Sequence, residues 1–285
     1  MAAGNAGLQT GTARRRRATR RRFFLPAILF ASSVVGFGCG GDGSAPTTPE
    51  PPEPAAPLDV PFGFTDLEEG EGPEVEDGWL LAIAYTGWLY DDSAPDNKGS
   101  EFISVAEEDP DSFRFGVGQV IPGIDRGMAG MRAGGKRRIV VPPDMGFGAQ
   151  GNNLVPGNAT LLFEVVLVAG AEVPFETIDL QVGSGGEAEN GDSLSMAYHG
   201  WVYDLLAPDN KGDTFDSTTA ENPFDFTLGV GAVIVGWDLG IVGMRVGGRR
   251  RIVIPHELAY GAAGRQPRIP PYATLLFEVE LLAVE

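Results

Sequence analysis

The sequence predicts an α+β protein made of two tandem copies of one domain, each an antiparallel sheet packed over a single short helix. The first observation behind this is an internal repeat. Tyr85-Thr86-Gly87-Trp88 returns as Tyr198-His199-Gly200-Trp201, Ala94-Pro95-Asp96-Asn97-Lys98-Gly99 returns unchanged from Ala207 to Gly212, and Val120-Ile121 returns as Val233-Ile234, each 113 residues on. The run from Ala159 to Val165 returns from Ala273 to Val279 at an offset of 114, so the loop before it gained or lost one residue. Such a period is too long for a solenoid repeat of about 20–50 residues and fits two globular domains. The second observation is strand-like alternation, as in Leu81, Ile83, Tyr85 and their counterparts Leu194, Met196, Tyr198. The third is one helical stripe per copy, Ile124, Met128, Met131 and Trp237, Ile241, Met244, spaced i, i+4, i+7.

Taken in order, residues 1–38 read as an export signal. Seven arginines between Arg14 and Arg22 precede an apolar run over residues 23–38, which is too short, with Pro26 and terminal glycines, for a permanent spanning helix. Gly36-Phe37-Gly38-Cys39-Gly40 holds the only cysteine of the chain and resembles a bacterial lipoprotein lipobox, with Gly36 where leucine is usual. The resemblance implies lipidation of Cys39. Thr19-Arg20-Arg21-Arg22-Phe23-Phe24 also resembles a twin-arginine motif, so both export routes stay open. Residues 39–60 carry Cys39 and a Gly-rich, then Pro-rich stretch without periodicity, the composition of an extended tether. Domain 1 is expected over 61–172 and domain 2 over 173–285. In both, alternating strands come first and the helical stripe lies near the middle. The last strand alternates Leu161, Phe163, Val165 in one copy and Leu275, Phe277, Val279, Leu281 in the other.

Charge and composition exclude several classes of function. The formal net charge is −18, and because residues 1–38 hold seven basic and no acidic residues, 14 basic residues face 39 acidic ones from Cys39 onward. A body this acidic repels nucleic acid. His199 and His256 are the only histidines, so no cluster of metal ligands and no Cys-His pair is expected, and no cofactor either. Gly146-Phe147-Gly148-Ala149-Gln150-Gly151 has the spacing of a dinucleotide fingerprint but runs into Asn152-Asn153-Leu154-Val155-Pro156, which cannot open a helix. His256-Glu257-Leu258-Ala259-Tyr260 has tyrosine where a zinc protease needs its second histidine.

The residues that remain carry a resemblance. Tyr198-His199-Gly200, Thr214-Phe215-Asp216-Ser217, Asn222-Pro223-Phe224-Asp225-Phe226, Leu228-Gly229-Val230-Gly231-Ala232-Val233-Ile234-Val235-Gly236-Trp237, Ala259-Tyr260-Gly261 and the run from Ile269 to Leu281 occur in one order through 175–285. This copy resembles the FKBP family of peptidyl-prolyl isomerases from end to end. The resemblance implies a half-open antiparallel sheet wrapped around the helix, with an apolar proline pocket between them. By matching position, that pocket comprises Tyr198, Phe215, Asp216, Phe224, Val233, Ile234, Trp237, Tyr260, Ile269 and Phe277. Trp237 would be its floor, and the Ile234 amide, the Tyr260 hydroxyl and the Asp216 carboxylate its directed polar groups. Arg265 and Arg268 stand where the family has a histidine and an isoleucine, which bears on substrate and inhibitor preference.

The first copy matches the same framework with a degenerate pocket. It keeps Tyr85, Phe102, Val120, Ile121 and Phe163 but has Phe147 for Tyr260, Ile103 for Asp216, Asp111 for Phe224 and Ile124 for Trp237. Asp111 is expected to set a charge against apolar surface, and Ile124 to shorten the floor. The expectation is therefore an isomerase of exported proteins, active mainly in domain 2, with a non-catalytic polypeptide-binding or chaperone module as the alternative, above all for domain 1. The implied partners are proline-containing polypeptides, macrolide inhibitors of the family, and a membrane of the bacterial cell envelope through lipidated Cys39.

Overall fold

The computed structural model describes residues 58–285. The residues read as an export signal, Cys39 and nearly all of the expected tether lie outside the described residues. Among the described residues no helix is long and apolar enough to cross a membrane.

Twelve strands and two helices follow the predicted repeat. The first copy contains β1 (Gly63–Glu68), β2 (Leu80–Tyr90), β3 (Lys98–Val105), β4 (Asp111–Arg114), α1 (Pro122–Met128), β5 (Lys136–Val141) and β6 (Leu161–Ala171). The second contains β7 (Glu176–Gln181), β8 (Ser193–Tyr203), β9 (Lys211–Ser217), β10 (Phe224–Thr227), α2 (Val235–Ile241), β11 (Arg249–Ile254) and β12 (Leu275–Val284). Each copy forms one antiparallel six-stranded sheet. The first runs β1-β5-β6-β2-β3 with β4 also on β2, and the second runs β7-β11-β12-β8-β10 with β9 also on β8.

The helical stripes run past the helices that predicted them. Each helix has seven residues, and Met131 and Met244 follow glycine turns at Gly130 and Gly243, yet both methionines are buried in the core of their copy. Gly236 lets α2 approach β11 closely, because a Cβ there would collide with the Ile254 side chain. A helix two turns long is too short to stand alone, so this packing holds it.

Alternation in β2 is masked, since Leu80, Ala82 and Ala84 are buried along with Leu81, Ile83 and Tyr85. Leu80 joins Val173, Val253 and Leu276 in an apolar cluster with Trp201, Tyr203 and Leu205, so the back of the second sheet meets the first copy. Polar contacts cross the same boundary. The buried Arg114, held within its own copy by the Gly78 carbonyl (2.5 Å), donates across it to Thr274 Oγ1 (2.7 Å), Gln119 Nε2 donates to the Pro271 carbonyl (3.4 Å), and the Tyr272 hydroxyl donates to the Val117 carbonyl (3.3 Å).

Candidate functional site

In the second copy the concave face of the sheet supplies Tyr198 from β8, Phe215 from β9, Phe224 and Phe226 from β10, and Phe277 from β12. Helix α2 brings Trp237 against them. Its ring centroid lies 5.0 Å from Tyr198, 5.3 Å from Phe277, 5.7 Å from Phe226 and 6.1 Å from Phe224. Most of these pairs are edge-on, the arrangement that an aromatic quadrupole favours. Phe215 meets Phe277 edge-on at 5.4 Å. Room for those two rings comes from Gly200, where a Cβ would stand 2.7 Å from Phe215 and 3.0 Å from Phe277. The repeat had kept this glycine, as Gly87, without its reason being readable.

Asp238 ties the loop ahead of the helix. Its carboxylate accepts from the Gly229 amide (2.8 Å) and the Gly231 amide (3.1 Å), fixing the segment that carries Val233 and Ile234. The Ile234 carbonyl accepts the first helical bonds, from Trp237 and Asp238, while its own amide donates to no backbone carbonyl among the described residues. Tyr260 is partly buried against the same cluster, with Ile269 buried beside it. All ten residues expected in the pocket are thus brought together. Trp237, Phe277 and Ile269 form the buried base. Tyr198, Val233, Ile234 and Tyr260 are half-buried walls, and Phe224 is exposed at the lip.

The three polar groups differ in availability. The Ile234 amide and the Tyr260 hydroxyl are uncommitted to partners among the described residues, whereas Asp216 is engaged. It accepts the Tyr198 hydroxyl (2.8 Å) and the Ser217 amide (3.0 Å). Burial, then this hydrogen bond and the Asp216 charge, push the Tyr198 hydroxyl well above its ordinary pKa, so it stays a neutral donor. Sequence reasoning missed Phe226, which stacks on Phe224 at 5.5 Å, although the alternation of Phe224 and Phe226 with Asp225 is a signal that puts the two rings on one strand face.

The corresponding residues of the first copy also converge, but as core. Tyr85, Val120, Ile121 and Phe163 are 3 % exposed or less, with Phe102, Ile103 and Phe147 packed against them. Ile124 is fully buried at the helix position of Trp237. Asp111 does not spoil an apolar wall as expected, because its carboxylate accepts the Tyr85 hydroxyl at 2.8 Å. Burial first, then Asp111, drives the Tyr85 pKa up. Among the described residues no group of three or more His, Cys, Asp or Glu side chains is placed to hold a metal.

Comparison with known proteins decides the family. The family model for FKBP-type peptidyl-prolyl cis-trans isomerases matches twice, over residues 72–168 and 185–282. The chain belongs to this family. Human peptidyl-prolyl cis-trans isomerase FKBP10 is 35 % identical over 271 residues, covering 91 % of this chain and 42 % of the relative. Bovine peptidyl-prolyl cis-trans isomerase FKBP9 is 34 % identical over 213 residues, covering 73 % of this chain and 35 % of the relative. The 39 kDa FK506-binding nuclear protein of Drosophila melanogaster is 50 % identical over 107 residues, or 38 % of this chain and 28 % of that protein. The chain spans about a third of the length of the curated relatives that it matches first. The two FKBP domains coincide with the two sheets, and the open aromatic cage lies in the second.

Proposed function

We propose that the chain isomerises Xaa-Pro peptide bonds in the cage of its second FKBP domain, acting on polypeptides outside the cytoplasm. The observation that carries the reading is an aromatic base with half-exposed walls, next to an uncommitted amide at Ile234 and hydroxyl at Tyr260. Rotation about a peptide bond faces a barrier of about 18–20 kcal/mol because resonance flattens the amide, and a prolyl bond left alone exchanges over roughly tens to hundreds of seconds. Twisting the bond removes that resonance and weakens the carbonyl dipole, so a dry aromatic surface holds the twisted form at less cost than the planar one. A cage that packs the proline ring on Trp237 and excludes water therefore stabilises the transition state differentially. The Ile234 amide and Tyr260 hydroxyl are free to orient the flanking carbonyls, and Asp216 keeps the Tyr198 ring in place through its hydroxyl. No group has to gain or lose a proton, and the same cage is the seat expected for macrolide inhibitors of the family.

The first domain has a different role in this reading. Its counterpart of the cage has Tyr85, Val120, Ile121 and Phe163 buried, with only Phe102, Ile103, Asp111 and Phe147 partly exposed, and lacks counterparts of the Trp237 floor and the Tyr260 hydroxyl, which favours a scaffold or polypeptide-holding module. The leader and Cys39 supply the address, a lipid-anchored protein of the bacterial cell envelope. One acyl chain anchors only marginally, so a multiply acylated Cys39 is what the reading requires. Membrane fractions should yield a chain beginning at modified Cys39, and a chain whose partition is unchanged by Cys39→Ala would remove the anchor. For the activity, Phe224→Asp in the full chain installs at the exposed lip the residue type that the first domain carries as Asp111. Catalytic efficiency on an Xaa-Pro peptide should fall at least tenfold. If more than a third survives in the folded variant, the second domain is not the main catalyst.

A further inference from the structure

We propose that Arg265 and Arg268 form a cationic rim that selects polypeptide segments with an acidic side chain next to the proline. This deepens the isomerase reading and rests on it for the seat of the proline. In a chain with 39 acidic residues many cations are claimed by carboxylates: Arg132, Arg137, Arg138, Arg245, Arg250 and Arg251 each meet one at 3.1 Å or less, while Arg114, Arg126 and Arg249 form no ion pair among the described residues. Arg265 and Arg268 are exposed and form no ion pair among the described residues. Both contact the cage instead. The Arg265 guanidinium lies over the Tyr260 ring at 5.8 Å, and Arg268 Nη1 donates to the Phe215 carbonyl at 3.4 Å.

A tight turn fixes their place. The Arg265 amide donates to the Ile269 carbonyl (2.9 Å) and the Ile269 amide returns the bond to the Arg265 carbonyl (3.0 Å), so the turn that presents both arginines ends on a buried cage residue. Arg265 is also near enough to the Tyr198 hydroxyl to favour its ionised form, against the larger effects of burial and Asp216. The carboxylate among the ten cage residues, that of Asp216, is taken by Tyr198 and Ser217. An incoming Asp or Glu would thus meet two guanidinium groups that have no carboxylate partner among the described residues. Where the first domain makes the matching turn, with the Asn152 amide on the Val155 carbonyl, the loop carries Asn152 and Leu154, and its cage is closed. The cations accompany the open cage.

The body of the protein is acidic and attracts cationic peptides at long range, so the test must hold net charge constant. Two peptides of identical composition serve, one with Glu directly before the proline and Lys at the far end, the other with the two exchanged. Each is assayed with the full chain for kcat/KM and, independently of turnover, for binding by tryptophan fluorescence. Each exposed pair is weak, but two acting on one side chain and reversing sign between the peptides should give about tenfold preference for Glu-Pro in binding and turnover. R265E/R268E should reverse the order, and R265K/R268K should keep it. A ratio within twofold of unity, or one that R265E/R268E leaves unchanged, overturns the proposal, as does absence of binding by either peptide. If the preference is found in binding while neither peptide isomerises, the rim stands and the isomerase reading fails.

Discussion

Trp237→Ile transplants into the second domain the residue that the first domain carries at the same helix position as Ile124. Trp237 is 3 % exposed and touches four aromatic rings at 5.0–6.1 Å. Removing such a ring altogether, as in Trp237→Ala, costs about 3–5 kcal/mol. Isoleucine refills roughly half the space, which lowers the loss to about 1.5–2.5 kcal/mol on the same scale. One effect opposes this. The indole Nε1 is buried without a hydrogen-bond partner, and relieving a buried unpaired donor returns about 1 kcal/mol. The net cost is then about 0.5–1.5 kcal/mol, a fall of roughly 2–12 °C in the melting transition of a domain near 100 residues. Function should fall further than stability. Isoleucine has no flat face for the proline ring, so kcat/KM on an Xaa-Pro peptide should drop at least tenfold, or ~1.4 kcal/mol of transition-state stabilisation. Trp237→Phe, which keeps a flat face and removes the unpaired donor, should lose less of both. The assay pairs calorimetry with isomerisation kinetics on the full chain at a temperature where both variants are folded. A folded Trp237→Ile chain within threefold of the parent would refute the role of the floor. A chain that cannot fold would refute the energetic reasoning.

Two more outcomes follow from the structure. Thr274→Val preserves shape but deprives Arg114 Nη2 of its acceptor at the domain boundary, where Arg114 is 5 % exposed and its Nε already lacks a partner. Stability should fall by about 1–3 kcal/mol, with faster amide exchange at Tyr272, Ala273 and residue 274, and parental values for both would show that the guanidinium is satisfied elsewhere. Acid sensitivity should trace to Glu164 and Glu278. Burial disfavours their charge, but hydrogen bonds and charges from Lys98, Arg138 and Lys136 on one, and from Lys211 and Arg251 on the other, outweigh it and hold both below the ordinary glutamate range. A folded pKa below the unfolded value of about 4.3 gives stability that is complete above that pH and lost as pH falls through the lowered values. Urea midpoints should therefore decline below about pH 4.3 in the parent and decline less in Glu164→Gln/Glu278→Gln. Equal slopes would dismiss the two networks as the cause.

What the sequence disclosed was local or periodic. The repeat and the strand alternation could be placed because each depends on spacing within one copy, and the ten residues that the resemblance to the FKBP family assigned to the pocket do converge. What stayed hidden depends on the second copy or on partners distant in the chain. The two-faced burial of β2 arises because Leu80 is covered by Val253 and Leu276 from the other domain, which no periodicity in β2 records. The Met131 and Met244 positions continue a helical spacing after the helix has ended, because a glycine turn returns the chain to the same core. Asp111 looked like a misplaced charge since its partner, Tyr85, lies 26 residues away on another strand.

That last pair explains how one fold holds both a closed and an open cage. A tyrosine buried this deeply must find a partner for its hydroxyl. In the second domain Asp216 on β9 supplies it, and in the first Asp111 on β4 does so at the same 2.8 Å. Moving the acceptor from one neighbouring strand to the other satisfies the hydroxyl equally but changes what surrounds it. With the carboxylate on β9, the matching position on β10 is free to be Phe224, which joins Tyr198 and Trp237 and stands exposed at the lip. With the carboxylate on β4, the position on β3 becomes Ile103, which packs against the core that includes Tyr85. The first arrangement keeps apolar surface in water, a cost that a binding site repays when occupied. The second buries Tyr85, with its hydroxyl held by Asp111. The swap of acceptor strand thus accompanies the other differences between the two sites, Ile124 for Trp237 and Phe147 for Tyr260.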